Sequence, residues 1–96
     1  MDFEYFRKDI ELKLSTLTKF ELQEYHFEPI NFGSGILVYR IKGRIHKFVF
    51  DGKENELIWL IGNSHRKEKE ADWTELKIGN KLEISIEELD KNINQE

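Results

Sequence analysis

Ninety-six residues, 39% of them hydrophobic and 12% aromatic, supply the core of one domain spanning 1–96, with no low-complexity tract, internal repeat or linker to divide it. The 35% share of charged residues and a mean hydropathy of −0.63 describe a heavily solvated exterior. No cysteine is present, which excludes disulfides and thiolate metal sites, and no apolar run reaches the roughly eighteen residues of a membrane span. The opening residues Met1 to Arg7 carry acids and lack the basic start and apolar stretch of a secretion signal, so the expected location is cytoplasmic. Abundant Ile and Lys beside a single alanine, Ala71, suit an AT-rich, bacterial genome.

Phe3, Phe6, Ile10, Leu14 and Leu17 recur at helical spacing and predict an amphipathic helix over 2–17, capped by Asp2 and braced by an Asp9/Lys13 pair. Such a helix is roughly 24 Å long, close to the roughly 23 Å of a seven-residue strand, and can cover one sheet face. Thr18 and Glu21 fit a capping box that would begin a second short helix. Tyr25-His26-Phe27-Glu28 instead alternates as a strand does, with Pro29 confining it to an edge or an end. The alternation is preferred here, giving a strand over about 23–31.

Gly35 to Ile61 reads as three consecutive strands with both turns written into the sequence. Residues 36–41 run into Lys42-Gly43, residues 44–50 run into Asp51-Gly52, and residues 57–61 close the set. A two-residue turn at Lys42-Gly43 sets Ile41 against Arg44, Tyr39 against His46 and Leu37 against Phe48. One face then carries Leu37, Tyr39, Ile41, His46, Phe48 and Phe50 and is expected to be the core side, because its aromatics have the most area to bury. The other carries Ile36, Val38, Ile45 and Val49 with Arg40 and Lys47 among them. The turn after Asp51 fits more than one length, which leaves the face of Trp59 open.

Residues 63–70 read as an exposed charged loop. Over 72–84, Trp73, Leu76 and Ile78 fit either a short helix capped by Asp72 or another strand. Ser85 and Glu88 form a capping box ahead of Ile86, Leu89 and Ile93, predicting a C-terminal helix over 85–94. The expected fold is therefore α+β: an N-terminal amphipathic helix packed on a roughly four-stranded antiparallel meander, with C-terminal helical segments.

The net charge of −4 is unevenly spread. Residues 1–39 hold seven acids and four bases, a net of −3; residues 40–53 hold one acid and five bases, +4; residues 54–96 hold eleven acids and six bases, −5. A basic hairpin is thus framed by acidic segments. Charge complementarity within the fold accounts for this most simply, with Lys and Arg also discouraging edge-to-edge strand pairing.

Chemical signatures are sparse. His26, His46 and His65, or His65 with Glu68, Glu70 and Asp72, lack any characteristic metal-ligand spacing. Ser34 stands between Gly33 and Gly35 without the frame of a nucleophile elbow, and those glycines also fall short of a dinucleotide loop. The many carboxylates are most simply solvated surface charge. The expectation is a non-enzymatic domain with no metal and no cofactor.

A protein partner is the best-supported functional reading, and a membrane is not expected among the partners. A small, acidic, cysteine-free α+β domain is of the kind that inhibits a basic enzyme, bacterial immunity proteins among them; no residue pattern ties the chain to a particular family. Glu54, Glu56, Glu68, Glu70 and Asp72 are the candidates for a cationic partner, with Trp59 and Trp73 as anchors where exposed. The alternative is a small nucleic-acid-binding domain using Arg40, Lys42, Arg44 and Lys47 for phosphates, with Tyr39, His46 and Phe48 interleaved. The predicted pairing places those aromatics on the core face, and the acidic total opposes a polyanion. A homodimer through an exposed strand edge or face is a further option.

Overall fold

In a computed structural model, residues 3–30, 32–62, 73–79 and 83–94 are described. The chain begins with helix α1, Phe3–Leu17, in which Phe3, Phe6, Ile10 and Leu14 are all buried. Their spacing puts them on one stripe, as an amphipathic helix requires. The outer face is braced at i,i+4 by Lys13 to Asp9 at 2.9 Å and Arg7 to Glu11 at 3.0 Å. Lys13 also donates to the carbonyl of Ile84 at 2.9 Å, tying the helix to the distant C-terminal segment.

Five strands follow: β1, Phe20–Glu28; β2, Ser34–Ile41; β3, Arg44–Asp51; β4, Glu56–Gly62; and β5, Thr74–Gly79. They form one antiparallel sheet in strictly sequential order, β1-β2-β3-β4-β5. The β2–β3 turn is the two-residue one expected, with Lys42 at φ 50° and Gly43 at φ 79°, the left-handed pair that matches the twist of a hairpin. Ile41 faces Arg44, Tyr39 faces His46 and Leu37 faces Phe48, as the turn predicts. After β3, the Asp51 Oδ1 accepts the N–H groups of Lys53 and Glu54 at 3.0 and 3.1 Å, and Asn55 takes a left-handed φ of 56° before β4 begins.

Helix α1 lies on the face bearing Leu37, Tyr39, Phe48, Phe50 and Trp59. Phe6 meets Phe48 edge-on with centroids 5.8 Å apart, and Phe3 meets Phe50 in the same way at 5.9 Å. Directly beneath Phe3 is Gly35, where a Cβ would lie 2.5 Å from the ring. The second helix, α2, Ile86–Asn94, adds buried Leu89 and partly buried Ile93 to this same core, as does Ile84 just before it. Its capping box forms: the Glu88 N–H donates to Ser85 Oγ at 3.1 Å, and Ser85 Oγ donates to Glu88 Oε1 at 3.4 Å.

The architecture is α+β with an N-terminal helix, an antiparallel sheet and a short C-terminal helix, but the sheet has five strands rather than four. The additional strand, β5, lies within the segment where helix and strand were both open. A bulge opposite the Trp59/Leu60 step sets its register, and Leu76 packs against the core. The first strand starts at Phe20 rather than 23, so the capping box at Thr18 begins no helix. A bulge between Leu22 and Glu24 places one extra residue, Gln23, in β1. The segment 63–70, Asp2 and, within 72–84, Asp72 and residues 80–82 lie outside the described residues. Among the described residues, no helix is long and apolar enough to cross a membrane.

Candidate functional site

Both helices occupy one side of the sheet, so the opposite face is covered by no helix among the described residues. Strand register reads out its composition row by row. Glu28, Ser34, Asp51 and Glu56 line one end; next come His26, Ile36, Val49 and Ile58; then Glu24, Val38, Lys47 and Leu60; and finally Glu21, Arg40 and Ile45. Alternation along each strand puts the large aromatics on the helix side and leaves this side aliphatic, with acids along β1 and across the first row.

Between the first two rows a cleft of about 320 Å³ opens over β1, β2 and β3. Ile36 and Val49 supply its apolar floor. His26 and Glu28 stand on one side, Asp51 and Lys53 on the other, and Ser34 at the end. The ring of His26 is held by Glu28, its Nε2 2.7 Å from Oε1. Ser34 Oγ accepts the backbone N–H of Gly52 at 3.0 Å, so it serves as a strut between two turns rather than a free hydroxyl. Lys53 turns toward the ring of Phe32, its ammonium 5.8 Å from the centroid. The site therefore offers an aliphatic surface between two carboxylates on opposite walls.

A second set of polar contacts links α1 to β1 and β2. The buried Tyr39 hydroxyl donates to Glu11 Oε2 at 2.8 Å, and Arg7 Nε donates to the same oxygen at 3.0 Å. The Arg7 guanidinium sits 4.7 Å over the Tyr25 ring, and the Tyr25 hydroxyl donates to Glu4. Burial first, and Glu11 second, push the Tyr39 phenol well above its ordinary range, so it stays protonated and donates. This set fixes side chains in place. Among the described residues no three His, Asp or Glu side chains are grouped as a metal ion would require.

The sequence-derived candidates fare differently. Glu56 belongs to the acidic row, directly paired with Asp51, and Glu54 is exposed in the adjoining turn, so the structure brings both to the cleft's end of the face. Trp59 is 1% exposed and belongs to the core, its Nε1 donating to His46 Nδ1 at 3.1 Å; the anchor role required exposure, and the register that buries it removes that role. Trp73 is half-buried with Lys47 5.4 Å over its ring. Glu68, Glu70, Asp72 and His65 lie outside the described residues.

Of the basic hairpin, Arg40 and Lys47 are half-buried on the helix-free face, while Lys42 and Arg44 are exposed at and beside the turn. The aromatics interleaved with them, Tyr39, His46 and Phe48, are buried, leaving no stacking surface within the hairpin. Glu28, Asp51, Ile36 and Val49 were missed as a group because they come from three strands. Their convergence follows once the register is known. Exposed Phe27 and Tyr25 were also missed, although the alternation through 25–28 carries their signal.

No protein-family model, curated protein or solved structure matches this chain. The site must be read from its own residues.

Proposed function

We propose that this chain is a non-enzymatic interaction domain that binds and blocks a basic enzyme, in the manner of small acidic immunity or inhibitor proteins. One observation carries the reading: an aliphatic cleft on the helix-free sheet face runs between carboxylates, with Glu28 on one wall and Asp51 on the other. Lysine and arginine are half apolar, and their methylene stems lie on aliphatic surface while the charged end reaches polar partners. Ile36 and Val49 accept such a stem, and Glu28 and Asp51 accept its head. Glu21 and Glu24 along β1, with Glu54 and Glu56 beyond Asp51, extend the acidic surround. Such a surround steers a cationic protein toward the cleft and raises its association rate.

The test is affinity capture from the source cells after nuclease digestion, using wild type and a Glu28→Gln/Asp51→Asn variant. These changes remove charge but keep hydrogen-bonding oxygens, including the Asp51 oxygen that organises its turn. The expected result is a basic protein retained at one-to-one stoichiometry by the wild type. The variant should lose at least tenfold in affinity for the purified partner, with most of the loss in association rate at low salt. Equal affinity would place the interface elsewhere. Capture that vanishes with nuclease would refute a protein partner in favour of nucleic acid held by Lys42, Arg44 and their neighbours.

A further inference from the structure

The strand bearing Glu28 is itself an edge. Among the described residues β1 has one strand neighbour, β2, and residues 23–28 are all exposed. An edge strand presents backbone N–H and C=O groups that no neighbour satisfies. The bulge at Gln23 interrupts the ladder at one end, and Pro29, which has no N–H to donate, ends it at the other. Between them lies a regular five-residue edge, Glu24 to Glu28.

Its two faces differ chemically. Glu24, His26 and Glu28 point to the cleft side. Tyr25 and Phe27 point to the helix side, yet they remain 40% and 37% exposed. Both are held rigidly: Phe27 stacks on Phe3 with rings 4° from parallel, and Tyr25 lies under Arg7 with its hydroxyl on Glu4. The apolar surface continues past the strand into Ile30, 99% exposed, and Phe32, 65% exposed. Charged residues alone would suffice to protect an edge from aggregation. Pre-positioned aromatics beside that edge do not protect it; they are what interfaces use as anchors.

We infer that an extended segment of the basic partner adds to the sheet along Glu24–Glu28 as a sixth strand. This rests on the protein-partner reading above and names how that partner docks. The side-chain period of two dictates the segment's pattern: basic residues beside Glu24 and Glu28, alternating with apolar or aromatic residues beside Tyr25 and Phe27. A second copy of this chain is the wrong occupant. Antiparallel self-pairing about His26 would set Glu24 of each chain opposite Glu28 of the other, like charges placed directly across a ladder.

Four labelled peptides carrying the same side chains test this by fluorescence anisotropy in 150 mM salt: one alternating Lys with Val and Phe over seven residues, one with the same residues in blocks, and two alternating but N-methylated at every second amide, one in each phase. One of the two phases always blocks the ladder. The expected order has the alternating peptide at least tenfold tighter than the blocked peptide and the ladder-blocking phase. Amide exchange should slow at alternate residues of 24–28, and Glu24→Lys/Glu28→Lys should abolish binding. Equal affinity for all peptides, lost on charge reversal, would overturn strand addition while leaving the acidic-surface reading standing. No binding by any peptide would overturn strand addition, and the capture experiment judges the partner reading separately. A stable dimer dispersed by Tyr25→Lys would also overturn it, in favour of a second copy.

Discussion

His46 makes the stability of this fold depend on pH. The ring is buried opposite Tyr39, and its Nδ1 accepts the Trp59 indole N–H at 3.1 Å. Burial, aided by the nearby Arg44, lowers its pKa from 6.5 to about 4. The folded chain therefore keeps this histidine neutral where the unfolded chain protonates it. Stability is full above pH 6.5 and declines as pH falls toward 4; below that both states are protonated and this group contributes no further loss. With those two values, linkage gives a loss of about 2 kcal/mol between pH 7 and pH 5, and about 3 kcal/mol in all.

Urea unfolding followed by circular dichroism at half-unit steps from pH 7 to 5 measures the slope. His46→Gln is the control, since its amide oxygen can still accept the indole N–H but does not titrate. The other histidines are common to both proteins and cancel in the difference. Wild type should lose about 2 kcal/mol more than His46→Gln over this range. Equal slopes would refute the reasoning, showing that the ring titrates alike in the folded and unfolded chain.

Two further predictions concern the packing that holds the site. Gly35→Ala puts a methyl group 2.5 Å from the buried Phe3 ring and should cost about 1–3 kcal/mol in urea unfolding. In a Phe3→Ala background the same change should cost nothing further, because the colliding ring is gone. Ser85→Ala removes the acceptor for the Glu88 N–H and should cost about 1 kcal/mol, with Ser85→Asp restoring it.

Local patterns made much of this fold legible. The stripe through Phe3, Phe6, Ile10 and Leu14, the turn at Lys42-Gly43 and the box at Ser85/Glu88 each depend on residues within one or two turns of chain. What was lost involved a change of phase. In β1 the apolar positions are Phe20 and Leu22 before the bulge and Tyr25 and Phe27 after it, so even-numbered alternation becomes odd-numbered. A fixed period of two sees only the second half, and the strand start was displaced accordingly. β5 was ambiguous for the same reason, since its register also shifts at a bulge. The cleft needed still more: its walls belong to β1 and β3, and their relation follows only from two successive pairings.

The sequential order of the sheet also governs how the chain can assemble. Each strand pairs with its neighbour along the chain, so no pairing in the sheet waits for a strand further away in sequence. The helices reverse this pattern. α1 comes first yet needs Phe48 and Phe50 as its floor, while Ile84 and Leu89 complete the same core from the far end. During synthesis the meander can therefore pair while its aromatic face still lacks its last covering. That covering comes from Ile84 and α2, which follow the meander in the chain and pack into the same core as α1.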